Sequence, residues 1–411
     1  MGNGKTMGKK PRTVLVAAVM LLLLLPACAP DASLPPTQSS AVVEIGNLAP
    51  LTGATSGPEQ ANLQALQDYI RHFNEAGGIP GVTVELLWVD TALQIPRFVS
   101  GYHRFLDRGV PIIYSDDTVS SFAIRPRLAK DRMPILTGTA TATVIHPPGW
   151  MYAPSPTFGE TSTVLIDYFV ENWHEDRPPR IAYFGPDHYL GAGVAAEVEK
   201  HISIKGMNVE LLPTEFCGMT VIDSSPQLLR IKDRGADLLV VQNIVTAAGP
   251  ILMDAERLGL LHEMQFGGFE FSMGETLIDM VGEAAEGYLA PRTAPWFDET
   301  DVPGIKLIQE VQFKYHGKQR RDPEYMSGWL AAAILCETVK RGIEEVGIEN
   351  LDGSAAKSAL DSLQGFDIDG VATITYTPEQ RRGSRRAAVY QVQEGSIVRV
   401  SQWRETPILV P

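Results

Sequence analysis

Three short motifs in this 411-residue chain carry residue types that can do chemistry. Gly191-Ala192-Gly193-Val194-Ala195-Ala196 fits the G-x-G-x-x-A pattern that cradles a dinucleotide pyrophosphate, with Glu210 downstream where a ribose-binding acid would lie. Its spacing fails. Six residues separate Phe184, the end of the preceding β-rich run, from Gly191, whereas the glycine turn must follow its strand almost at once to bring backbone amides to the phosphates. Gly4-Lys5-Thr6 ends like a phosphate loop, and Gly2 to Thr6 fits a myristoylation pattern. No strand precedes these glycines and a hydrophobic leader follows them, so neither motif has its context. There is no Gly-x-Ser-x-Gly elbow and no His-Glu-x-x-His pair, and the eight histidines show no pairing. The chain reads as a protein that is not an enzyme and carries no cofactor or metal.

One further residue has a clear chemical context. A basic start is followed by an unbroken apolar run of twelve residues, Val14 to Leu25, and then by Leu25-Pro26-Ala27-Cys28. The run is too short to span a bilayer, which takes about 20 residues, and fits a secretion leader. A small residue before a cysteine at the end of such a run resembles the bacterial lipobox, in which Cys28 would receive lipid and become the mature N-terminus. Residues 28–40, rich in proline, serine and threonine, read as a tether. The remaining cysteines, Cys217 and Cys336, lie far apart in or beside apolar runs, so two buried free thiols are expected and no metal-ligand spacing exists. The formal charge of −14 becomes more negative once a leader bearing Lys5, Lys9, Lys10 and Arg12 and no acid is removed. That balance argues against binding nucleic acid or an anionic membrane through a broad surface.

The elements that must position any site alternate regularly. With 44% hydrophobic and 20% charged residues, the chain can bury a full core and is long enough for two domains. Strands are predicted at Val42–Leu48, Val82–Val89, Val110–Tyr114 and Pro134–Thr137, with helical segments between them. A second series follows at Arg180–Phe184, Val209–Leu212, Asp237–Val241 and Gln265–Gly268, with amphipathic stretches near 160–175, 190–203, 224–233 and 247–258. Two long helical patterns, 303–316 and 324–345, precede a β-rich tail of hairpin character from Val371 to Val400. The fold class is therefore α/β, with two doubly wound parallel-sheet lobes. Such lobes place ligand-contacting loops at the carboxyl ends of their strands.

The chain resembles the branched-chain amino acid type of periplasmic solute-binding proteins of ABC transporters, over essentially its whole mature length. Pro50-Leu51-Thr52-Gly53 is similar to that family's opening loop, Phe73-Asn74-Glu75-Ala76-Gly77-Gly78-Ile79-Pro80-Gly81 to its helix-to-strand turn, and Asp90 closes the next strand as expected. Gly249-Pro250-Ile251-Leu252 running to Gly259-Leu260, and Gly282-Glu283-Ala284-Ala285-Glu286-Gly287, look like its second-lobe helix and its crossover back. The resemblance implies a first lobe of 41–153 and 289–384, a second of 154–288 and 385–411, and crossings near Tyr152, Tyr288 and the final β segment.

It also implies a cleft that takes an amino acid or similar small polar solute, delivered by a monomer, lipid-anchored outside the cytoplasm, to a membrane permease. A sensor reporting to a membrane receptor is the rival reading. By the family pattern, Thr118 and the segment Thr139-Ala140-Thr141 would hold the ligand's carboxylate, Glu270 its ammonium, and Tyr189 would wall the pocket. Two departures stand out. Ile244 falls where an aromatic is usual, leaving Asn243 and Thr246 as polar substitutes, and Asp116 and Asp117 sit beside the expected carboxylate site. Asp117 fits a helix N-cap, or with Asp116 points to a ligand of more positive charge.

Overall fold

The computed structural model describes residues 41–53, 55–138 and 141–409. The expected leader, Cys28 and tether, and Thr139 and Ala140 of the expected site, lie outside the described residues.

The first sheet grows from β1 (Ala41–Ala49), whose apolar residues Val43, Ile45 and Leu48 are buried. A strand covered on both faces needs such a near-continuous apolar run. Helix α1 (Ser56–Glu75) leads to β2 (Val82–Asp90), and α2 (Ile95–Asp107) to β3 (Ile113–Ser115). Then come α3 (Thr118–Asp131), β4 (Ile135–Thr137), α4 (Ala142–Ile145) and β5 (Met151–Tyr152). All five strands are parallel, in the order β2-β1-β3-β4-β5.

The second sheet repeats the plan. It runs through α5 (Phe158–Glu171), β6 (Arg180–Gly185), α6 (Val194–Lys205), β7 (Glu210–Leu211), β8 (Glu215–Phe216), α7 (Ser225–Asp233) and β9 (Leu238–Val241). After these come α8 (Val245–Arg257), β10 (Gln265–Gly268), α9 (Glu275–Val281) and β11 (Leu289–Arg292). Returning to the first lobe, α10 (Pro303–His316), α11 (Pro323–Val346) and α12 (Gly353–Asp361) precede the short pair β12 (Phe366–Asp367) and β13 (Thr373–Ile374). Gly328 of α11 lets that helix press against α1, because a Cβ there would stand 2.3 Å from the Asn62 carbonyl oxygen. The tail β14 (Arg386–Gln393), β15 (Ser396–Arg399) and β16 (Arg404–Glu405) rejoins the second sheet, whose order is β15-β14-β11-β10-β9-β6-β7. The strands β14 and β15 form the expected hairpin.

One boundary differs from expectation. Residue 289 was expected to begin the returning first-lobe segment, yet Leu289–Arg292 pairs in parallel with β10 and antiparallel with β14, so the crossing follows Arg292. The unsatisfied edge of β10 captures this apolar run before the chain leaves.

Two of the three crossings are tied together. Ala153 N–H donates to the Arg381 carbonyl and Gly383 N–H to the Ala153 carbonyl, both at 2.8 Å. Glu160, the third residue of α5, completes a capping box with Thr157 and meets Arg382 at 2.8 Å, both side chains being almost wholly buried. Cys336 is buried in α11 and Cys217 is partly buried, and both are free thiols.

Candidate ligand cleft

In each sheet the first strand is flanked by its successors on opposite sides, so the connections after adjacent strands diverge and leave a crevice. In the first lobe the crevice lies between the loops following β1 and β3, which carry Pro50, Thr55 and Asp116–Thr118. In the second it lies between the loops following β6 and β9, which carry His188, Tyr189 and Ile244. These two crevices face each other across one cavity of about 320 Å³. It sits at the small end of the roughly 300–1,000 Å³ range of ligand sites. A second cavity of about 240 Å³ adjoins it, sharing Pro58, Phe271 and Glu324.

On the first lobe, Asp117 caps α3: its Oδ1 accepts from Ser120 N–H at 3.0 Å and its Oδ2 from the Ser120 hydroxyl at 2.6 Å. Thr118 is hydrogen-bonded through its side chain to Tyr189 of the opposite lobe, so the lobes touch directly over the cavity. Asp116 is held by Tyr114, whose hydroxyl donates to both carboxylate oxygens at 2.9 Å and accepts from Asn62 Nδ2 at 2.9 Å. Gly138 makes room for this cluster, since a Cβ there would fall 1.7 Å from Asp116 Oδ1. Burial pushes the Asp116 carboxyl up to about 7 despite the Tyr114 bond.

Two further acids line the same cavity from helix starts, Glu59 on α1 and Glu324 on α11. Burial, and then the charges of Asp116, Glu324 and Asp117, raise Glu59 well above the usual carboxylate range. Glu324 is pushed up to about 8, again chiefly by burial. The opposite wall is aromatic: Phe158 meets Phe269 edge-to-face at 4.7 Å, and Phe269 lies 5.3 Å from Phe271.

Of the residues expected at the site, Asp117, Thr118 and Tyr189 come together on this cavity. Glu270, Thr141 and Asn243 lie outside its lining, each engaged in bonds within the protein. Glu270 Oε1 accepts from Thr293 N–H at 3.0 Å and its hydroxyl at 2.8 Å and faces Arg292. The Thr141 hydroxyl is 3.0 Å from that of Thr143. Asn243 Nδ2 donates to the Gly218 carbonyl at 3.0 Å, while its Oδ1 accepts from Ile244 N–H. Ile244 itself reaches the cavity, and Thr246 lines the adjoining one.

Sequence reasoning missed Glu59, Glu324 and the phenylalanine wall. The two acids did carry a signal, each standing in the first turn of a helix. Among the described residues no cluster of histidine, cysteine or acidic side chains could hold a metal ion.

Known proteins share this fold. The chain is 24% identical over 310 residues to the leucine-, isoleucine-, valine-, threonine- and alanine-binding protein of Pseudomonas aeruginosa, covering 74% of this chain and 79% of that one. It is 23% identical over 361 residues to Leu/Ile/Val-binding protein homolog 3 of Brucella melitensis, covering 87% and 93%. A branched-chain amino acid ABC transporter protein from Thermus thermophilus, solved with bound valine, superposes with a TM-score of 0.81 at 24% identity, over 90% of this chain and 98% of that one. The family model described as periplasmic binding protein matches residues 42–396, so the chain belongs to the periplasmic binding protein family, extracytoplasmic solute binders rather than enzymes.

Proposed function

We propose that this protein captures an amino acid or a similar small polar solute between its lobes and delivers it to the permease of an ABC transporter. The observation that carries this reading is the 320 Å³ cavity walled by the strand-end loops of both sheets. A solute there touches both lobes at once, so its binding free energy favours the closed form that a permease can distinguish from the open one. The amino-acid binding named for the relatives supports the solute class. Cys28 would carry the lipid and hold a monomer at the membrane surface.

Thermal unfolding of the purified protein against a panel of amino acids, amines, amides, carboxylates and polyols tests the reading. A ligand at a hundredfold its Kd adds about 2.7 kcal/mol, enough to raise Tm by several degrees. At least one solute is expected to do so, and a flat response across the panel would set the reading aside.

A further inference from the structure

The lining of the 320 Å³ cavity is one-sided in charge. Glu59, Asp116, Asp117 and Glu324 reach it from three separate parts of the first lobe, and no lysine or arginine among the described residues lines it. The nearest cations, Arg292 and Arg320, act on the Glu324 carboxyl from outside this lining. Arg320 lines the adjoining cavity but is bound to Asp322 at 2.7 Å. Arg292 is buried outside the lining, where it faces Glu270 and stacks 4.3 Å over Trp296. His188 does line the cavity, and burial lowers its pKa, keeping the ring neutral at pH 7.

A second, independent observation concerns hydrogen bonds. Glu324 Oε1 and Thr55 Oγ1 on this cavity, and Thr246 Oγ1 on the adjoining one, are shielded from solvent and have no hydrogen-bond partner in the protein. A carboxylate oxygen in that position is costly unless something donates to it. A third observation narrows the places that could receive a ligand's negative end. The start of α3, where a bound carboxylate would be received, already holds the protein's own carboxylate, because Asp117 takes the Ser120 N–H.

Resting on the solute-binding reading, we infer that the solute is an organic cation, bearing amine or amidine groups on an apolar body and no carboxylate. Its charged nitrogen sits among Glu59, Asp116 and Glu324 and supplies the missing donor to Glu324 Oε1. Its apolar part lies on the Phe158–Phe269–Phe271 wall, where aromatic faces also attract a cation. A zwitterionic amino acid satisfies the same acids with its ammonium but must bring its carboxylate among four acids so crowded and buried that Glu59 already holds its proton well above the usual carboxylate range.

Matched pairs that differ only by the carboxylate separate these cases: phenethylamine against phenylalanine, and 1,5-diaminopentane against lysine, titrated calorimetrically into the protein at pH 7.5. At least one amine is expected to bind tenfold or more tighter than its amino acid. Glu324→Gln is expected to weaken that amine at least tenfold while the variant melts no lower than the parent. Glu59→Gln serves as a second variant should the first fail to fold. Amino acids binding as tightly as their amines, no amine binding at all, or amine binding indifferent to both substitutions overturns the inference. In the first case, or where another solute of the wider panel still raises Tm, the solute-binding reading survives. A flat response to every compound removes both.

Discussion

The acids of the cleft make stability and binding depend on pH in a stated direction. Asp116 titrates near 7 and Glu324 near 8, and Glu59 is raised well above its ordinary range. The groups facing them are known: Asp116, Asp117 and Glu324 for Glu59; Asp322, Arg292 and Arg320 for Glu324; Tyr114 for Asp116. An acid whose folded pKa is raised contributes stability that is complete below its unfolded pKa and is lost as pH rises through the folded one. The unliganded protein is therefore expected to lose stability from about pH 5 to pH 8.5, followed as Tm, and Glu324→Gln to flatten part of that fall. A Tm that rises across this window would contradict the assignment. The family resemblance pointed to Thr118 and Tyr189 and helix-start chemistry to Asp117, and all three line this cavity. Glu59 and Glu324 were not legible in sequence, since more than half of the 411-residue chain separates two residues that come together only when α1 packs on α11. Glu270 shows the converse. Its position at a strand end was readable, but whether the carboxylate turns to the cleft or to Thr293 depends on the neighbouring strand.

At the scale of elements, the crossings carry a buried ion pair whose removal should be felt throughout. Glu160 accepts from Thr157 N–H at 3.0 Å and from Leu409 N–H at 3.2 Å while meeting Arg382, so one carboxylate ties the start of α5 to the hinge and to the C-terminal segment. Burial raises its pKa even against the charge of Arg382. Arg382→Met would leave this carboxylate buried without its counter-ion, and a loss of about 3–5 kcal/mol is expected in denaturant unfolding. The double variant Glu160→Gln, Arg382→Met should recover much of it. A single variant that costs under about 1 kcal/mol would show that the pair does not hold the hinge. The alternation of strands and helices was readable because parallel strands demand continuous apolar runs and the helices an apolar stripe. The place of β11 was not, because Leu289–Arg292 could extend either sheet and only the free edge of β10 and the returning β14 decide it.

The whole molecule adds a long-range term. The net charge of −14 is visible in composition alone, whereas its local expression, four acids on one cavity, emerges only from the fold. Above about pH 8, where Asp116 and Glu324 have lost their protons, the cleft is negative; bounded by low-dielectric walls it focuses the field and draws cations inward before any contact forms, and this steering is screened by salt. The Debye length shrinks from about 30 Å at 0.01 M to about 8 Å at 0.15 M, less than the reach needed to guide a ligand from bulk solvent into the cleft. The association rate of an organic cation, measured by stopped flow, is therefore expected to fall severalfold between those ionic strengths. A neutral zwitterion of equal size, having no net charge to steer, should associate at a rate nearly independent of salt. Because the rate reports the field outside the cavity and the equilibrium constant reports the contacts within it, Glu324→Gln should reduce affinity far more than association rate. Equal losses in both would mean that Glu324 acts from the rim and not from the binding position assigned to it.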